Sequence, residues 1–312
     1  MFDISGKKIW IAGHAGLVGS ALVRKFSHFN CDILTVSKAE LDLARQKETE
    51  EWIAEHKPDV ILIAAAKVGG IGENAAKPAQ FLFDNISIAQ NIIHAAYKNK
   101  TQKLVFLGSS CIYPKFAEQP IKEEELLNGA LEGTSEAYAI AKIAGIKLCQ
   151  YYHRQYGCDF ISLMPCNLYG PNDRWNDEAA HVIPSLISKI HKAKISNMSE
   201  VEIWGSGKPL REFMHVDDLA KALVIAAQNY SGELHLNAGS GEEISISDLA
   251  QMIGKTIGYE GKFRFNRDKP DGTPRKILDS GRLRALGWTP KIVLEKGVQS
   301  AYEDFLNQAN HI

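Results

Sequence analysis

The chain of 312 residues is 45% hydrophobic, so it can bury a substantial core in one large or two smaller domains. Its formal net charge of −1, without a basic run, argues against nucleic acid as a partner. Charged residues interrupt every apolar stretch, and the N-terminus lacks a signal-peptide layout, so we expect a cytoplasmic protein without a membrane partner. The five cysteines include no C-x-x-C pair and the ten histidines are scattered, so we expect neither disulfides nor a metal site.

The first half of the chain alternates strand and helix patterns. Strand patterns rich in Val, Ile, Leu and Phe, without strict polar alternation, cover 8–13, 32–36, 59–66, 103–109 and 159–165. Helical patterns lie between them at 17–28, 46–56, 78–99 and 136–156. This rhythm predicts an α/β fold with a doubly wound parallel sheet of the Rossmann type. Because right-handed crossovers bring the carboxyl ends of such strands to one edge, we expect the motifs behind the strands to form one site.

The first strand pattern runs directly into a glycine turn. Gly13, Gly16 and Gly19 follow one another at three-residue steps, and a helical pattern begins immediately behind the turn. Glycine lets the backbone approach a pyrophosphate, which then lies against the free N–H groups of the helix N-terminus. The spacing differs from the common G-x-G-x-x-G, but its place between a strand and a helix predicts a dinucleotide site. The other predicted contacts in this turn are His14, Ala15, Leu17 and Val18.

The second strand pattern indicates which dinucleotide binds. An NAD site usually has an acidic residue at the end of this strand, where it holds the ribose 2′-hydroxyl. Here the strand ends in Val36, Ser37 and Lys38. We expect Lys38, helped by Ser37, to bind a 2′-phosphate, although Glu40 is close by. The sequence therefore predicts NADP(H) in preference to NAD(H).

The helical pattern 136–156 contains a tyrosine and a lysine with catalytic spacing. Tyr138 and Lys142 are four residues apart, so a helix places them on one face, where the ammonium is expected to lower the pKa of the phenol. With the Ser109 hydroxyl on a substrate carbonyl, this set delivers a proton to the carbonyl oxygen while a hydride reaches the carbon. Considered alone, the motif Tyr-x-x-x-Lys indicates an ordinary helix with a buried aromatic ring and a solvated lysine rather than a catalytic pair.

A thiol, that of Cys111, lies two residues after Ser109, which ends the strand pattern 103–109. Carbonyl reduction does not require Cys111, so its position suggests additional acid–base capacity, of the kind that exchanges protons on the carbons beside a ketone. The alternative is a small buried apolar residue, which free cysteines usually are.

The pattern changes after Tyr169, Gly170 and Pro171, where the elements become shorter and turns more frequent. We predict a cofactor-binding domain at 1–170 and a substrate-binding domain at 171–312. A helical pattern followed by a strand pattern suggests that 212–238 returns to the first domain.

Two long helical patterns, 78–99 and 136–156, are apolar over a wide arc. One sheet face does not cover an arc of that width, and exposed apolar stripes usually mark an interface. The sequence therefore predicts a homodimer joined through a four-helix bundle, unless both helices are covered within one chain.

Together these motifs resemble those of extended short-chain dehydrogenase/reductases that act on nucleotide sugars. The glycine turn, Asp42-Leu43, the Tyr138 and Lys142 pair, 167–171 and 211–218 match in order and spacing. Several segments are similar to those of the GDP-L-fucose synthase family, and Ser-Ser-Cys-Ile-Tyr-Pro at 109–114 is the most specific of them. The resemblance extends from about Lys8 to Trp288, nearly the whole chain.

The resemblance implies a 3,5-epimerase and 4-reductase that converts GDP-4-keto-6-deoxy-D-mannose into GDP-L-fucose with NADPH. It assigns Cys111 and His181 as the acid–base pair of epimerisation and Tyr138 as the proton donor to the C4 oxygen. Expected substrate contacts are Trp204 at the guanosine, Arg211 and Lys189 at the diphosphate, Asp271 at the ribose, and Asn167. Expected cofactor contacts besides the glycine turn and Lys38 are Asp42, Leu43, Leu107, Gly108, Ser110, Lys142, Pro165, Cys166, Asn167, Leu168 and His181.

Three of these residues also fit simpler roles. His181 precedes a helical pattern and fits a cap, and Trp204 fits a core residue. Arg211 fits an ion pair with Asp217 or Asp218.

Other activities share the same fold. A 4,6-dehydratase needs an acid pair where Cys111 and Ile112 stand, and a 4-epimerase needs no thiol there. A non-catalytic redox-sensing or scaffold protein often loses the tyrosine or the lysine, and both are present here.

Overall fold

The computed structural model describes residues 1–175, 180–269 and 271–309. In the first half, strands alternate with helices as the sequence predicts. The elements are β1 Lys8–Ala12, α1 Leu17–Phe26, β2 Asp32–Leu34, α2 Gln46–His56, β3 Val60–Ile63, α3 Ile71–Ala76, α4 Pro78–Lys98, β4 Lys103–Leu107, α5 Glu136–Tyr156 and β5 Phe160–Pro165.

Helix α3 is missing from the sequence prediction. It has six residues and ends just before Pro78, the first residue of α4. A residue that precedes proline is pushed out of the α region, and glycines at 70 and 72 weaken the helical pattern, so the segment reads as a loop.

The second half is built from shorter elements. They are β6 Asn167–Tyr169, α6 Val182–Ile195, β7 Glu200–Trp204, β8 Leu210–His215, α7 Val216–Asn229, β9 Leu236–Ala238, β10 Glu243–Ser245, α8 Ile246–Ile257, β11 Lys262–Asn266, β12 Arg275–Lys276, α9 Gly281–Ala285 and α10 Leu294–Ala309.

A six-stranded parallel sheet with the order β2-β1-β3-β4-β5-β9 forms the centre of the molecule. This is the doubly wound sheet that the sequence predicts. β3 and β4 are buried at every position, because helices cover both faces. Although β9 lies far along the chain, it pairs with β5, and so residues of the second half complete the sheet.

A second hydrophobic cluster lies outside the sheet, among α6, α8, α10 and β7. Ile187, Ile253 and Val298 are completely buried in it. β8 connects this region to the first, since it pairs with β6, β10 and β12, and α7 follows it directly. Because β6 directly follows the carboxyl end of β5 and pairs with β8, this connection lies at the carboxyl edge of the sheet.

Candidate active site

The glycine turn after β1 is shaped for close approach by a ligand. Gly13 has a φ of +86°, and a Cβ there would lie 2.7 Å from the Ala65 backbone in the loop after β3. A Cβ at Gly19 would lie 2.0 Å from the Gly13 carbonyl oxygen. In the described part of the chain, no side chain caps α1 and its first turn contains no acid. Its N–H groups therefore fit a dinucleotide pyrophosphate.

The residues beyond β2 place an anion and a cation near this turn. The Ser37 hydroxyl donates to Glu40 Oε2 at 2.7 Å, and the Ser37 N–H donates to the same oxygen at 3.1 Å. These bonds, with a smaller effect from His14, lower the pKa of the Glu40 carboxyl. Because Ser37 is engaged in this way, the exposed Lys38 is the better candidate for contact with a 2′-phosphate.

Ser109, Cys111 and Tyr138 meet at the end of β4. Ser109 has an extended backbone and begins a short 3-10 helix at Ser110–Ile112, where its Oγ accepts a hydrogen bond from the Cys111 N–H at 3.3 Å. Burial raises the pKa of the Tyr138 phenol, a Cys111 charge adds to the rise, and the Ser109 hydroxyl opposes it. Cys111 and Ser109 are thus close enough to Tyr138 to affect the protonation of its phenol.

Lys142 lies on the same face of α5 as Tyr138. Only 4% of it is exposed, its Nζ donates to the Leu107 carbonyl at 2.7 Å, and the Nζ is 5.7 Å from the centre of the Tyr138 ring. Burial lowers the pKa of the ammonium to about 7. The solvated lysine of the simpler alternative is therefore wrong.

The expectation that Lys142 lowers the pKa of Tyr138 is also wrong. Burial disfavours the charged form of both groups, so the phenol pKa rises and the ammonium pKa falls. A phenol with a raised pKa remains protonated at neutral pH, as a proton donor must.

His181 stands at the start of α6, where its backbone is extended. It is solvent-accessible, and within the described residues its side chain makes no capping hydrogen bond, so the cap alternative is not supported. Although part of the residue reaches solvent, protein atoms around the imidazole desolvate it and lower its pKa, and the Arg174 cation lowers it further. Arg174 donates to the Val68 carbonyl at 3.3 Å, which links this segment to the loop after β3.

The strand ends predicted to bind cofactor are well packed. Leu107, Gly108 and Ser110 are buried at the end of β4, and a Cβ at Gly108 would lie 2.2 Å from Met164 Sδ. Beyond the buried Pro165, the Cys166 N–H donates to the Ala238 carbonyl at 3.0 Å, and burial raises the thiol pKa. Asn167 Nδ2 donates to the Glu212 carbonyl at 2.8 Å, and Leu168 pairs with Met214 between β6 and β8.

Two further predicted cofactor residues have structural contacts. Asp42 Oδ1 accepts from the Ala44 N–H at 3.1 Å, and the Leu43 carbonyl accepts from Asn91 Nδ2 on α4 at 3.0 Å. These bonds fix the segment between β2 and α2.

The predicted substrate residues form a second group at the end of β7. Trp204 is 59% exposed and is therefore not a core residue. Lys189 Nζ lies 5.3 Å from the centre of its ring, and Lys269 Nζ lies 5.1 Å from it. Asp271 accepts hydrogen bonds from the Ser206 N–H at 2.6 Å and from its hydroxyl at 2.7 Å.

Arg211 belongs to the same group. One guanidinium nitrogen lies 3.5 Å from the Asp271 carbonyl oxygen, and burial lowers the guanidinium pKa. The alternative ion pairs are taken by other cations, since Asp217 pairs with Arg24 at 2.7 Å and Asp218 with Lys221 at 2.9 Å.

Sequence reasoning missed Lys269 and Ser206 as members of this group. Both lie in segments, 203–207 and 269–276, that are similar to those of the GDP-L-fucose synthase family, and this similarity is the sequence signal that could have found them. Among the described residues, no three His, Cys, Asp or Glu side chains are arranged to hold a metal ion. No helix in this part of the chain is both long and apolar enough to cross a membrane.

Comparisons with known proteins agree with this geometry. The model of the NAD dependent epimerase/dehydratase family matches residues 9–239. A GDP-L-fucose synthase of Sinorhizobium fredii is 50% identical over 98% of each chain, and GDP-L-fucose synthase 1 of Arabidopsis thaliana is 52% identical over 96% of this chain and 93% of its own. The structure of a GDP-L-fucose synthetase from Naegleria fowleri bound to NADP superposes with a TM-score of 0.91 at 27% identity, covering 99% of this chain and 97% of that one.

Proposed function

Because the chain belongs to the GDP-L-fucose synthase family, within the NAD dependent epimerase/dehydratases, we propose that it converts GDP-4-keto-6-deoxy-D-mannose into GDP-L-fucose. The reaction combines 3,5-epimerisation with NADPH-dependent reduction at C4. The observation that carries the proposal is the Cys111 thiol beside Ser109 and Tyr138. A plain reductase has no use for a thiol at that place.

NADP(H) is proposed to bind across the glycine turn and the strand ends. The uncapped N-terminus of α1 takes the pyrophosphate, and Lys38 takes the 2′-phosphate. Lys142, next to the Tyr138 ring, holds the nicotinamide ribose. When bound, NADPH supplies the hydride for C4.

The GDP part of the substrate is proposed to bind at the exposed tryptophan. The Trp204 ring offers a face for guanine stacking, and Lys189 and the Arg211 guanidinium neutralise the diphosphate. Asp271 orders the Ser206 turn beside them and borders the ribose. The sugar is then proposed to extend toward the end of β4.

The chain's own groups then move the protons. A ketone at C4 acidifies the protons on C3 and C5, and Ser109 and Tyr138 stabilise the developing oxyanion. Cys111 takes the proton from one face of the sugar, and His181 returns a proton that it has taken up from solvent to the opposite face. Before the second inversion Cys111 releases its proton to solvent and His181 takes up another, so the pair starts again in the same state. After both inversions, Tyr138, which lies beside Ser109 and is protonated at neutral pH, gives its proton to the C4 oxygen.

The rival activities are less well supported by the residues at this place. A dehydratase would need an acid pair where Cys111 and Ile112 stand. A scaffold without activity would have no reason to keep Lys142 buried and directed at the end of β4.

We further propose that the enzyme is a cytoplasmic homodimer. α4 and α5 expose large apolar side chains at Phe83, Ile140 and Tyr151, which suit burial by a second copy. Light scattering at micromolar concentration is expected to give about 69 kDa, twice the 34.5 kDa of one chain. A monomer alone would contradict the dimer.

The division of the chain is likewise proposed to be a cofactor domain at 1–170 and a substrate domain at 171–312, with 212–238 returning to the first. The pairing of β9 with β5 supports the return, and the separate hydrophobic cluster around α6, α8 and α10 supports the division.

The test of the function is turnover of GDP-4-keto-6-deoxy-D-mannose with NADPH, with the product's stereochemistry read by NMR. The proposal expects the L-fucose configuration. A 4-reduced D-sugar as the only product would show a reductase without epimerase activity.

A further inference from the structure

The short helix that carries Cys111 is followed directly by a buried tyrosine. Tyr113 is 2% exposed, and its N–H closes the 3-10 turn on the Ser110 carbonyl. Ser110 and Ile112 are buried as well, while Cys111 between them is partly exposed. The position of the thiol therefore depends on what holds the turn at each end.

The end that precedes Cys111 is held by the sheet. Ser109 is separated from β4 only by Gly108, whose N–H donates to the Leu163 carbonyl of β5 at 3.0 Å. The end that follows is held by the Tyr113 side chain, whose hydroxyl donates to Asn237 Oδ1 at 2.5 Å on β9. Asn237 Nδ2 donates to the Ile121 carbonyl at 2.9 Å, which fixes the orientation of the amide.

The same hydroxyl determines the tautomer of His235. Tyr113 has one hydroxyl hydrogen, and Asn237 receives it. The 2.9 Å contact with His235 Nε2 therefore requires that Nε2 carries a hydrogen and donates to the phenol oxygen. Burial is the main reason that the pKa of this imidazole falls to about 4, so the ring stays neutral at physiological pH.

From Asn237 the network continues to the second half of the molecule. The Asn237 N–H donates to Glu123 Oε1 at 3.0 Å, and the other oxygen of this buried carboxylate accepts from Arg282 of α9 at 2.5 Å. A continuous chain of hydrogen bonds thus joins the turn of Cys111 to β9 and α9.

We propose that Tyr113 is a positioning residue for Cys111, acting through its hydrogen bonds to Asn237 and His235. The inference rests on the proposed epimerase role of Cys111. Ser109 and Tyr138 are held by β4 and α5, so loss of the Tyr113 hydroxyl shifts the thiol more than it shifts the reduction machinery. Epimerisation is then impaired more than hydride transfer.

The first test compares Tyr113→Phe with wild type in D₂O. Deuterium uptake at C3 and C5 is expected to fall roughly tenfold or more, since displacement of a reacting group by about 1 Å can cost 10²-fold in rate. NADPH affinity is expected to stay within about twofold, because the turn's other end is unchanged. The matched control is Tyr259→Phe, which also removes a tyrosine hydroxyl bond, from Tyr259 to the Met198 carbonyl at 3.1 Å, outside the network behind Cys111.

A second measurement needs no sugar substrate. The rate of Cys111 alkylation by iodoacetamide is followed from pH 6 to pH 10 by peptide mass spectrometry in wild type and in both variants. The proposal expects a changed pH profile for Cys111 in Tyr113→Phe and an unchanged one in Tyr259→Phe. If Tyr113→Phe fails to fold, Arg282→Gln at the half-exposed end of the network is expected to change the profile in the same direction, more weakly.

The outcomes separate the two proposals. Wild-type protein without deuterium uptake would contradict the epimerase role itself. Suppose instead that the wild-type protein takes up deuterium. If Tyr113→Phe then loses exchange and reduction equally, or if its Cys111 alkylation profile is unchanged, the positioning role is overturned and the epimerase role stands.

Discussion

The two ends of the site differ in how firmly the chain holds their side chains. At the reaction end, Tyr138 and Lys142 lie on one long helix, and Lys142 is only 4% exposed. At the nucleotide end, Trp204 is 59% exposed, and the two lysines beside it approach through long flexible side chains. Burial has displaced the pKa values of Tyr138 and Lys142, whereas Trp204 and its lysines meet mainly solvent.

This difference predicts which kinetic constant each end controls. Groups that are fixed before binding act in the transition state and should determine kcat. Groups that become ordered with the ligand contribute binding energy in the ground and transition states alike, and should determine KM.

The largest effect is expected at the reaction end. Tyr138→Phe removes the proton donor and keeps the ring packing, so kcat should fall roughly 10²–10⁴-fold. The dissociation constant for NADPH, measured by fluorescence titration, should change little. Turnover near the wild-type rate would show that another group donates the proton.

Trp204→Ala tests the nucleotide end. Loss of a stacking face costs about 1–3 kcal/mol, so KM for the GDP-sugar should rise roughly 5- to 150-fold with kcat nearly unchanged. Because the ring is exposed, the melting temperature should hardly move. Trp204→Phe keeps a smaller aromatic face, so its KM for the GDP-sugar should lie between those of wild type and Trp204→Ala. A fall in kcat at constant KM would reverse the assignment of the two ends.

Lys142 also predicts how stability depends on pH. Its pKa is near 10.5 when unfolded and about 7 when folded, so between these values the unfolded chain binds more protons. The free energy of unfolding therefore rises with pH between 7 and 10.5, by at most about 1.4 kcal/mol per pH unit. The stability that Lys142 contributes is present in full above pH 10.5 and is lost as pH falls toward 7.

The measurement for Lys142 is urea unfolding of ligand-free wild type and Lys142→Met from pH 7 to pH 10. Wild type should gain stability relative to the variant as pH rises. Lys147→Met, on the same helix but outside the site, is the control and should show no such trend. Parallel curves for Lys142→Met and wild type would mean that the buried lysine keeps an ordinary pKa.

The smallest effect is expected at the cofactor's ribose. Lys38→Ala should raise KM for NADPH several-fold and leave KM for NADH unchanged, because one exposed charge contributes about 1 kcal/mol or less. Lys47→Ala, an exposed lysine of α2, serves as the matched control. A wild-type enzyme with higher kcat/KM for NADH would contradict the predicted preference for NADP(H).

Local patterns predicted most of the sheet. The five strands of the first half lie within the predicted segments, because strands buried on both faces appear as continuous apolar runs. α3 could not be seen in this way, since Pro78 and two glycines interrupt its pattern. The strand pattern predicted within 212–238 corresponds to β9 at Leu236–Ala238, and the pairing with β5 determines its bounds.

The site was predicted in part and for a definite reason. Spacing brought Tyr138 and Lys142 to one face, but the direction of their pKa shifts depends on burial, which spacing does not reveal. The bond from Asn237 to Glu123 joins residues 114 positions apart, so no local pattern predicts the network behind Cys111.

The role of Cys111 is the central claim, and one measurement tests it most directly. Cys111→Ala, wild type and the control Cys31→Ala are incubated in D₂O with GDP-4-keto-6-deoxy-D-mannose and NADPH, and deuterium at C3 and C5 is followed by NMR. We predict uptake at both carbons in wild type and Cys31→Ala, and none in Cys111→Ala, which still oxidises NADPH and reduces the unepimerised ketone. Uptake at the wild-type rate in Cys111→Ala would contradict the account, because the epimerase would then have another base.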